Sequence, residues 1–93
     1  PVLTQVNINY LIQDLVQLLT PQFEHQGIQF NTSYSASLPE IKVDRDMITQ
    51  ILLNLLLNAK DELSDGGIIR LSTGSSEDNT EIFFIVEDSG SGI

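Results

Sequence analysis

The chain has 93 residues, with 4 Lys or Arg against 13 Asp or Glu, so its formal net charge is −9. Because nucleic acids and anionic membranes are bound mainly through basic side chains, this balance counts against both as partners. Apolar residues make up 41% of the chain and cysteine is absent, so we expect one packed domain without disulfides, thiolate nucleophiles or Cys-based zinc sites. No run of about 18 apolar residues marks a membrane-spanning helix.

The first predicted element is a helix. Apolar side chains recur at helical spacing through residues 8–19, and Asn7 or Asn9 suits the N-cap. Pro21 predicts either a kink in this helix or a second helix in line with it. Gly27 suits the left-handed conformation that commonly ends a helix, so we expect the helical region to stop there.

A strand and a second helix follow. Residues 28–34 alternate apolar and polar side chains, which predicts a strand with one face in solvent. Residues 35–40 are predicted to form a loop, and residues 41–43 at most a short edge strand. Asp44 is a favourable N-cap for the most regular helix of the chain, predicted at about residues 45–63.

Two further strands complete the pattern. Residues 64–67 contain two glycines and end the helix, residues 68–73 form a strand, and residues 74–79 form a polar hairpin loop. Residues 80–87 form the last strand, which is apolar on both faces in its middle and is therefore expected to be central in its sheet. The order α-β-α-β-β predicts an α+β fold, a two-layer sandwich with helices on one face of a mixed sheet.

The second predicted helix carries a polar stripe. On a helical wheel, its core face is expected to consist of Ile48, Leu52, Leu55, Leu56, Ala59 and Leu63. Asn54, Asn58 and Asp61 lie on the opposite face, with Gln50 beside them. One interpretation is a solvated surface stripe. The other is the lining of a pocket, because apolar residues border the stripe on both sides, and a row of amide and carboxylate oxygens suits a hard cation such as Mg²⁺.

The last residues form a glycine-containing run. Residues 86–93, Val-Glu-Asp-Ser-Gly-Ser-Gly-Ile, continue an apolar strand, and Asp88 stands where that strand ends. One interpretation is an ordinary turn, since Asp, Ser and Gly all favour turns. The other is a ligand site, because Gly90 and Gly92 allow the backbone to approach a ligand closely.

Taken together, the two motifs resemble those of sensor histidine kinases. Residues 54–61, Asn-Leu-Leu-Leu-Asn-Ala-Lys-Asp, resemble the N box, and residues 88–93, Asp-Ser-Gly-Ser-Gly-Ile, resemble the G1 box. The spacing of 30 residues from Asn58 to Asp88 also fits the family. The resemblance covers about residues 7–93 and implies the ATP-binding catalytic domain of the GHKL superfamily, with its Bergerat-type α/β sandwich.

The resemblance assigns roles to individual residues. Asn58 matches the asparagine that coordinates the Mg²⁺ bridging the ATP phosphates, and Asp88 matches the aspartate that accepts a hydrogen bond from the adenine amino group. Gly90 and Gly92 match the glycines that leave room for the base and the sugar. Asp61 would hold a magnesium-bound water near Asn58. The implied cofactors are ATP and Mg²⁺.

Asn54 carries information about the fate of the ATP. The ATP hydrolases of this superfamily, such as gyrase B and the mismatch-repair ATPases, resemble one another in a glutamate at this position, which activates water. An amide cannot act as a general base, so Asn54 is expected in the nucleotide site without a hydrolytic function. The resemblance therefore implies a protein histidine kinase, with no catalytic residue assigned in this chain, that transfers the phosphoryl group to a protein acceptor.

The resemblance also implies partners and further parts. The acceptor histidine would lie on a separate dimerisation domain of the same protein, and a response regulator would then receive the phosphoryl group. His25 is the only histidine in the chain and is not assigned as the acceptor. Residues 1–93 would be the N-terminal part of the catalytic domain, with the F box, the G2 box and the lid beyond Ile93.

Several properties of such a segment follow as expectations. We expect this segment to be cytoplasmic. The parent protein could be anchored in the inner membrane. Alone, the segment should bind nucleotide weakly or be inactive, because the parts that close over the phosphates would be missing. It should also expose apolar surface and an open strand edge, which favour self-association.

Two alternatives stay open. A non-catalytic GHKL-like interaction module would need neither Asn58 nor Asp88, so the presence of both counts against it. A GHKL protein serine kinase is compatible with every residue discussed. Ser89 and Ser91 depart from the asparagine and proline common in the G1 box, and both departures are expected to be tolerated.

Overall fold

The computed structural model describes residues 2–78 and 81–89. Its elements, in chain order, are β1 (Thr4–Val6), α1 (Ile8–His25), β2 (Ile28–Ser33), β3 (Ile41–Val43), α2 (Arg45–Glu62), β4 (Gly67–Ser75) and β5 (Ile82–Asp88). The larger sheet has the order β2-β4-β5, and β1 pairs with β3 in a separate two-stranded sheet. β2 and β4 are parallel, whereas β4 and β5 are antiparallel, so the larger sheet is mixed. No helix in the described ranges is long and apolar enough to cross a lipid bilayer.

Both helices pack on one face of the larger sheet. The alternation along β4 identifies this face, since Ile69 and Leu71 are buried whereas Arg70 between them is exposed. The buried residues in the described part of the chain are all apolar. Phe23 of α1 stacks on Phe30 of β2, with ring centroids 5.0 Å apart. The predicted α+β sandwich, with helices on one face of a mixed sheet, is confirmed.

The N-terminus of α1 is capped by Asn7, whose side chain accepts a backbone N–H of the first turn. Asn9, the alternative cap, lies within the helix and ties it to two other parts of the chain. Its amide donates to the carbonyl of Ser35, 2.7 Å away, and accepts from the hydroxyl of Thr73 in β4, also 2.7 Å away. Asn7 therefore caps the helix, whereas Asn9 links it to a loop and to β4. Their similar capping propensities do not predict this difference.

α1 passes through Pro21 as one helix and ends at His25. Thr20 lies inside this helix. Its hydroxyl donates to the carbonyl of Val16, 2.6 Å away, as threonines inside helices commonly do. Gly27 follows with a φ of +83°, which confirms the predicted left-handed stop.

α2 begins at the predicted cap, where the Asp44 carboxylate accepts the backbone N–H groups of Asp46 and Met47. Its apolar face packs on the core through Ile48, Leu52, Leu56, Ala59 and Leu63. The expectation that Leu55 belongs to this face is wrong, because its side chain is 40% exposed. A step of one residue from Leu56 turns Leu55 by about 100° and places it on the side of the helix.

The β4–β5 hairpin differs from the prediction in two respects. β4 continues to Ser75, so Gly74 lies within the strand and does not open the loop. Gly74 pairs with Phe83, whose ring atoms lie only 2.5 Å from where a Cβ at Gly74 would stand. Among the described strands β4 is central, contrary to the prediction for β5. The outer-face residues Phe83 and Ile85 explain the apolar pattern of β5, and both are about half exposed.

Three glycines bring the ends of the two helices together, and we call Gly27, Gly66 and Gly67 the glycine junction. A Cβ at Gly66 would lie 2.8 Å from the carbonyl oxygen of Gly27. The Gly67 N–H donates to that same oxygen over 3.1 Å. Gly66 has a φ of +91°, a conformation that a side chain would strain. The junction therefore depends on the absence of side chains.

A glutamine next to the glycine junction closes the end of α2. Nε2 of Gln26 donates to the carbonyl oxygens of Lys60 and Leu63, 2.8 Å and 2.9 Å away. Each of these oxygens also accepts one backbone N–H, from Leu63 and Gly66 respectively, so Gln26 adds a second donor to both. Gln26 thus fixes the C-terminal turn of α2 to the end of α1.

The difference in burial between two neighbouring leucines of α2 is testable. Leu56 is 1% exposed, so Leu56→Ala should lower the free energy of unfolding by about 2–5 kcal/mol. Leu55→Ala should lower it by about 1 kcal/mol or less, because that side chain is partly in water. Urea unfolding followed by circular dichroism measures both variants. Equal losses at the two positions would contradict the outward placement of Leu55.

Gln26→Glu tests the contact between the helix ends, because it keeps the shape of the side chain and removes its donor. A carboxylate facing two carbonyl oxygens at a helix C-terminus should lower the free energy of unfolding by about 1–3 kcal/mol. Gln13→Glu adds the same charge at an exposed position of α1 and should change it by about 0.5 kcal/mol or less. Thermal unfolding at neutral pH compares the two. Similar losses would show that charge, and not the lost donor, is responsible.

Candidate functional site

The polar stripe lies on the surface of α2. Asn54, Asn58 and Asp61 are exposed on the side opposite the buried leucines, as the helical wheel predicted. Gln50, beside them, is exposed as well. Their exposure is compatible both with a solvated stripe and with one wall of an open site.

The two sides of α2 differ. Thr49 lines a groove against α1, and the Arg45 guanidinium lies 3.9 Å from the Asp14 carboxylate of α1. Asn58 follows Thr49 by nine positions. Nine residues correspond to about 180° of helical rotation, so Asn58 is directed away from α1. We call the side of α2 formed by Met47, Ile51, Leu55 and Asn58 the open flank.

The open flank combines apolar and polar surface. Its three apolar side chains are 40–56% exposed. A row of exposed apolar residues next to a polar row is typical of a surface that binds a ligand or another part of a protein. Asn54 and Asp61 lie about one turn before and after Asn58, so the amide and carboxylate oxygens run along this flank.

Asp88 lies at the end of β5, on the sheet face that carries the helices. Strand alternation places it in line with Ile82, Phe84 and Val86, which all pack against the core. Asp88 is half-buried and pairs with Ile69, a fully buried residue of β4. The carboxylate is therefore at the edge of the core.

The end of β5 adjoins the C-terminal end of α2. A Cβ at Gly67 would lie 2.8 Å from the Ser89 hydroxyl oxygen and 3.0 Å from a methyl group of Leu63, the C-cap of α2. Asn58 precedes Leu63 by five residues, or about 7.5 Å along the helix axis. The end of β5, with Asp88, therefore lies beside the C-terminal half of α2, which carries Asn58.

The donor chemistry of this surface suits Mg²⁺. Magnesium prefers oxygen ligands, keeps several waters and takes one or two carboxylate or amide oxygens from a protein. Within residues 2–78 and 81–89, no group of three or more His, Cys, Asp or Glu side chains is arranged to hold a metal ion. The amide and carboxylate oxygens of the stripe fit such a partial ligand set.

Two clefts of the described part lie away from this surface. One, of about 390 Å³, lies between α1 and β2 and is lined by Val16 and Phe30. The other, of about 410 Å³, lies beside Val2 and Arg45 at the N-terminus of α2. Neither is lined by Asn58 or by Asp88.

Some residues expected in the site lie outside the described ranges, and others were not expected at all. Gly90 and Gly92 fall outside the described residues, so their roles stay predictions. Gln26, Gly67 and Ser89 support the region but had no such role in the sequence interpretation. Their hydrogen bonds join residues 21 or more positions apart, and no local pattern displays such bonds.

Comparison with known proteins identifies relatives over nearly the whole chain. No family model matches it. The chain is 38% identical over 91 residues to the sensor histidine kinase ZraS of Escherichia coli K12, covering 98% of this chain and 19% of ZraS. It is 34% identical over 88 residues to the cell-division control histidine kinase PdhS of Brucella anthropi, covering 95% of this chain and 8% of PdhS. The chain thus spans about a fifth or less of the length of these relatives.

Solved structures of histidine kinases share its fold. The catalytic domain of histidine kinase ThkA superposes with a TM-score of 0.87 at 26% identity, covering 98% of this chain and 60% of that domain. Full-length ShkA in complex with AMPPNP superposes with a TM-score of 0.83 at 30% identity, covering 95% of this chain and 19% of ShkA. ThkA in complex with the response regulator TrrA gives 0.83 at 25% identity, covering 94% of this chain and 25% of that one. The chain therefore belongs with the sensor histidine kinases, and its fold is that of part of their catalytic domain.

Proposed function

We propose that this chain binds Mg-ATP as part of a histidine kinase catalytic domain. The bound ATP would supply a phosphoryl group to a histidine on a separate dimerisation domain of the same protein. The observation that carries the proposal is the joint placement of Asn58 on the open flank and Asp88 at the adjoining end of β5. The relation to ShkA, which was solved with AMPPNP, supports a nucleotide as the ligand.

Asp88 is proposed to recognise adenine. A carboxylate only accepts hydrogen bonds, so it favours the amino group of adenine over the oxo group of guanine. Its half-buried position beside Ile69 reduces competition from water and makes a hydrogen bond there more selective. Gly90 and Gly92 are proposed to leave room for the base and the sugar.

Asn58 is proposed to contribute the protein oxygen that holds Mg²⁺, with Asp61 holding a metal-bound water. Bound magnesium would neutralise phosphate charge and orient the phosphates. Neutralisation matters here because the chain carries a net charge of −9, which opposes a polyanionic ligand. The exposed position of Asn58 leaves space for a metal that keeps most of its water shell.

Asn54 supports transfer to a protein acceptor. It lies one turn before Asn58 on the exposed face, where a carboxylate would be needed to activate water. Phosphoryl transfer without such a base depends on positioning and charge neutralisation. The relatives named as histidine kinases favour histidine over serine as the acceptor. The ThkA complex with TrrA supports a response regulator as the next partner.

The match covers 60% of the ThkA catalytic domain, which supports a place for this chain within a larger domain. Residues 1–93 would be the N-terminal part of the catalytic domain, and the F box, the G2 box and the lid would come from further sequence. Met47, Ile51 and Leu55 would then be covered by those parts, so the chain alone should bind nucleotide weakly and tend to self-associate through exposed apolar surface.

Asp88→Asn tests the recognition of adenine, because it replaces one accepting oxygen with a donor and removes the charge. Affinity for ADP in the presence of Mg²⁺ should fall by about 10- to 100-fold, the effect of losing a hydrogen bond to a charged group. Isothermal titration calorimetry measures it. Asp65→Asn makes the same charge change at an exposed position and should leave the affinity unchanged. Equal affinities in the unaltered chain and in Asp88→Asn would contradict the assignment of adenine recognition to Asp88, and no binding of ADP by either chain would favour the interaction module.

Asn58→Ala tests the metal contact separately. In the unaltered chain, Mg²⁺ should strengthen ADP binding compared with the same titration in a chelator. Asn58→Ala should reduce this enhancement by about tenfold and leave the affinity measured in the chelator unchanged. Asn31→Ala, an exposed asparagine of β2, is the matched control and should keep the full enhancement. A full enhancement in Asn58→Ala would rule out Asn58 as a magnesium ligand.

A further inference from the structure

β5 ends in a pair of hydrogen bonds between Ser89 and Ile68. The Ser89 N–H donates to the Ile68 carbonyl over 3.1 Å, and the Ile68 N–H donates to the Ser89 hydroxyl oxygen over 3.0 Å. The second bond uses a side-chain oxygen where a continuing strand would use a backbone carbonyl. We call these two bonds the Ser89 clamp.

The clamp encloses Asp88 between two fixed points. On one side, Glu87 pairs with Arg70 in the β4–β5 ladder, in which Asp88 lies opposite Ile69. On the other, Ser89 is held to Ile68, the residue before Ile69. The backbone of Asp88 is therefore held on both sides, at the place where the strand would otherwise fray.

Gly67 provides the space for the Ser89 hydroxyl. A Cβ at Gly67 would lie 2.8 Å from that oxygen and 3.0 Å from a methyl group of Leu63. The hydroxyl thus sits between the end of α2 and the start of β4, in a space that a side chain at Gly67 would take. The clamp connects the end of β5 to the glycine junction.

We infer that Ser89 is a positioning residue for the Asp88 carboxylate. Its hydroxyl oxygen holds the end of β5 against Ile68 and so fixes the direction in which Asp88 presents its acceptor oxygens. Ser89 would act only through Asp88 and would not itself contact the nucleotide. The inference rests on the proposed function, because it takes Asp88 as the group that meets the adenine amino group.

The test compares ADP with inosine diphosphate, which lacks the amino group that Asp88 is proposed to recognise. Calorimetric titration of the 93-residue chain with Mg²⁺ gives the ratio of the two dissociation constants. Ser89→Ala removes the accepting oxygen and should lower the preference for ADP by about 2- to 10-fold, with binding of inosine diphosphate unchanged. General destabilisation would weaken both nucleotides equally and leave the ratio intact.

Two control variants and one measurement without nucleotide separate the effect of the Ser89 hydroxyl from general destabilisation. Ser89→Thr keeps the hydroxyl oxygen and should retain the preference for ADP, whereas Ser64→Ala is a control at an exposed serine outside the clamp. Hydrogen exchange of the Ile68 amide reports the clamp without any nucleotide and should accelerate in Ser89→Ala, because that N–H loses its acceptor.

The possible results separate the inference from the proposed function. A preference for ADP in the unaltered chain that persists in Ser89→Ala overturns the inference and leaves the proposed function standing. Unchanged exchange of the Ile68 amide in Ser89→Ala also overturns it, because the clamp would then not hold the strand. No preference for ADP in the unaltered chain overturns the proposed recognition of adenine, and the inference with it.

Discussion

The close approach of three glycines at the ends of the two helices determines where the other elements lie. Gly66 and Gly67 approach the Gly27 carbonyl so closely that a side chain at Gly66 would overlap it. This contact lets Ile28 and Gly67 begin their strands side by side, which sets the parallel register of β2 and β4. β5 pairs with β4, so the position of Asp88 follows from the same contact. A bulkier residue at the junction would displace the helix ends and the sheet together.

Local patterns predicted both helices and the mixed sheet, and they failed where a distant partner decides the structure. The helical periodicity and the cap at Asp44 belong to neighbouring residues, so they are legible in the sequence. β1 was not predicted, because three residues form a strand only by pairing with β3. Gly74 looked like the start of a loop, but the ring of Phe83 on the next strand covers it. Leu55 was assigned to the core although only the placement of α1 decides which side of α2 is open.

The sequence predicted the principal residues of the candidate site, but it did not predict the residues whose hydrogen bonds hold the surrounding backbone in place. Asn58 and Asp88 occur in short motifs whose spacing is visible in one sequence, so both could be named before their surroundings were known. Gln26 and Ser89 act through hydrogen bonds to residues far along the chain, and a glutamine after a helix or a serine after an aspartate signals nothing by itself. Their importance depends on the geometry of the glycine junction.

The two ends of the proposed nucleotide site differ physically. Asp88 is half-buried and held in a ladder, whereas Asn58 stands on an exposed flank of a chain with a net charge of −9. That charge opposes phosphates, so in the proposed function the affinity supplied by this chain would come mainly from contacts with the base, and cations would be needed at the phosphate end. An open phosphate end would suit the proposed transfer to an acceptor on another domain, because the γ-phosphate would have to be reached from outside. The same openness would admit water, and in the proposed function an amide at Asn54 in place of a general base would then preserve the ATP for the acceptor.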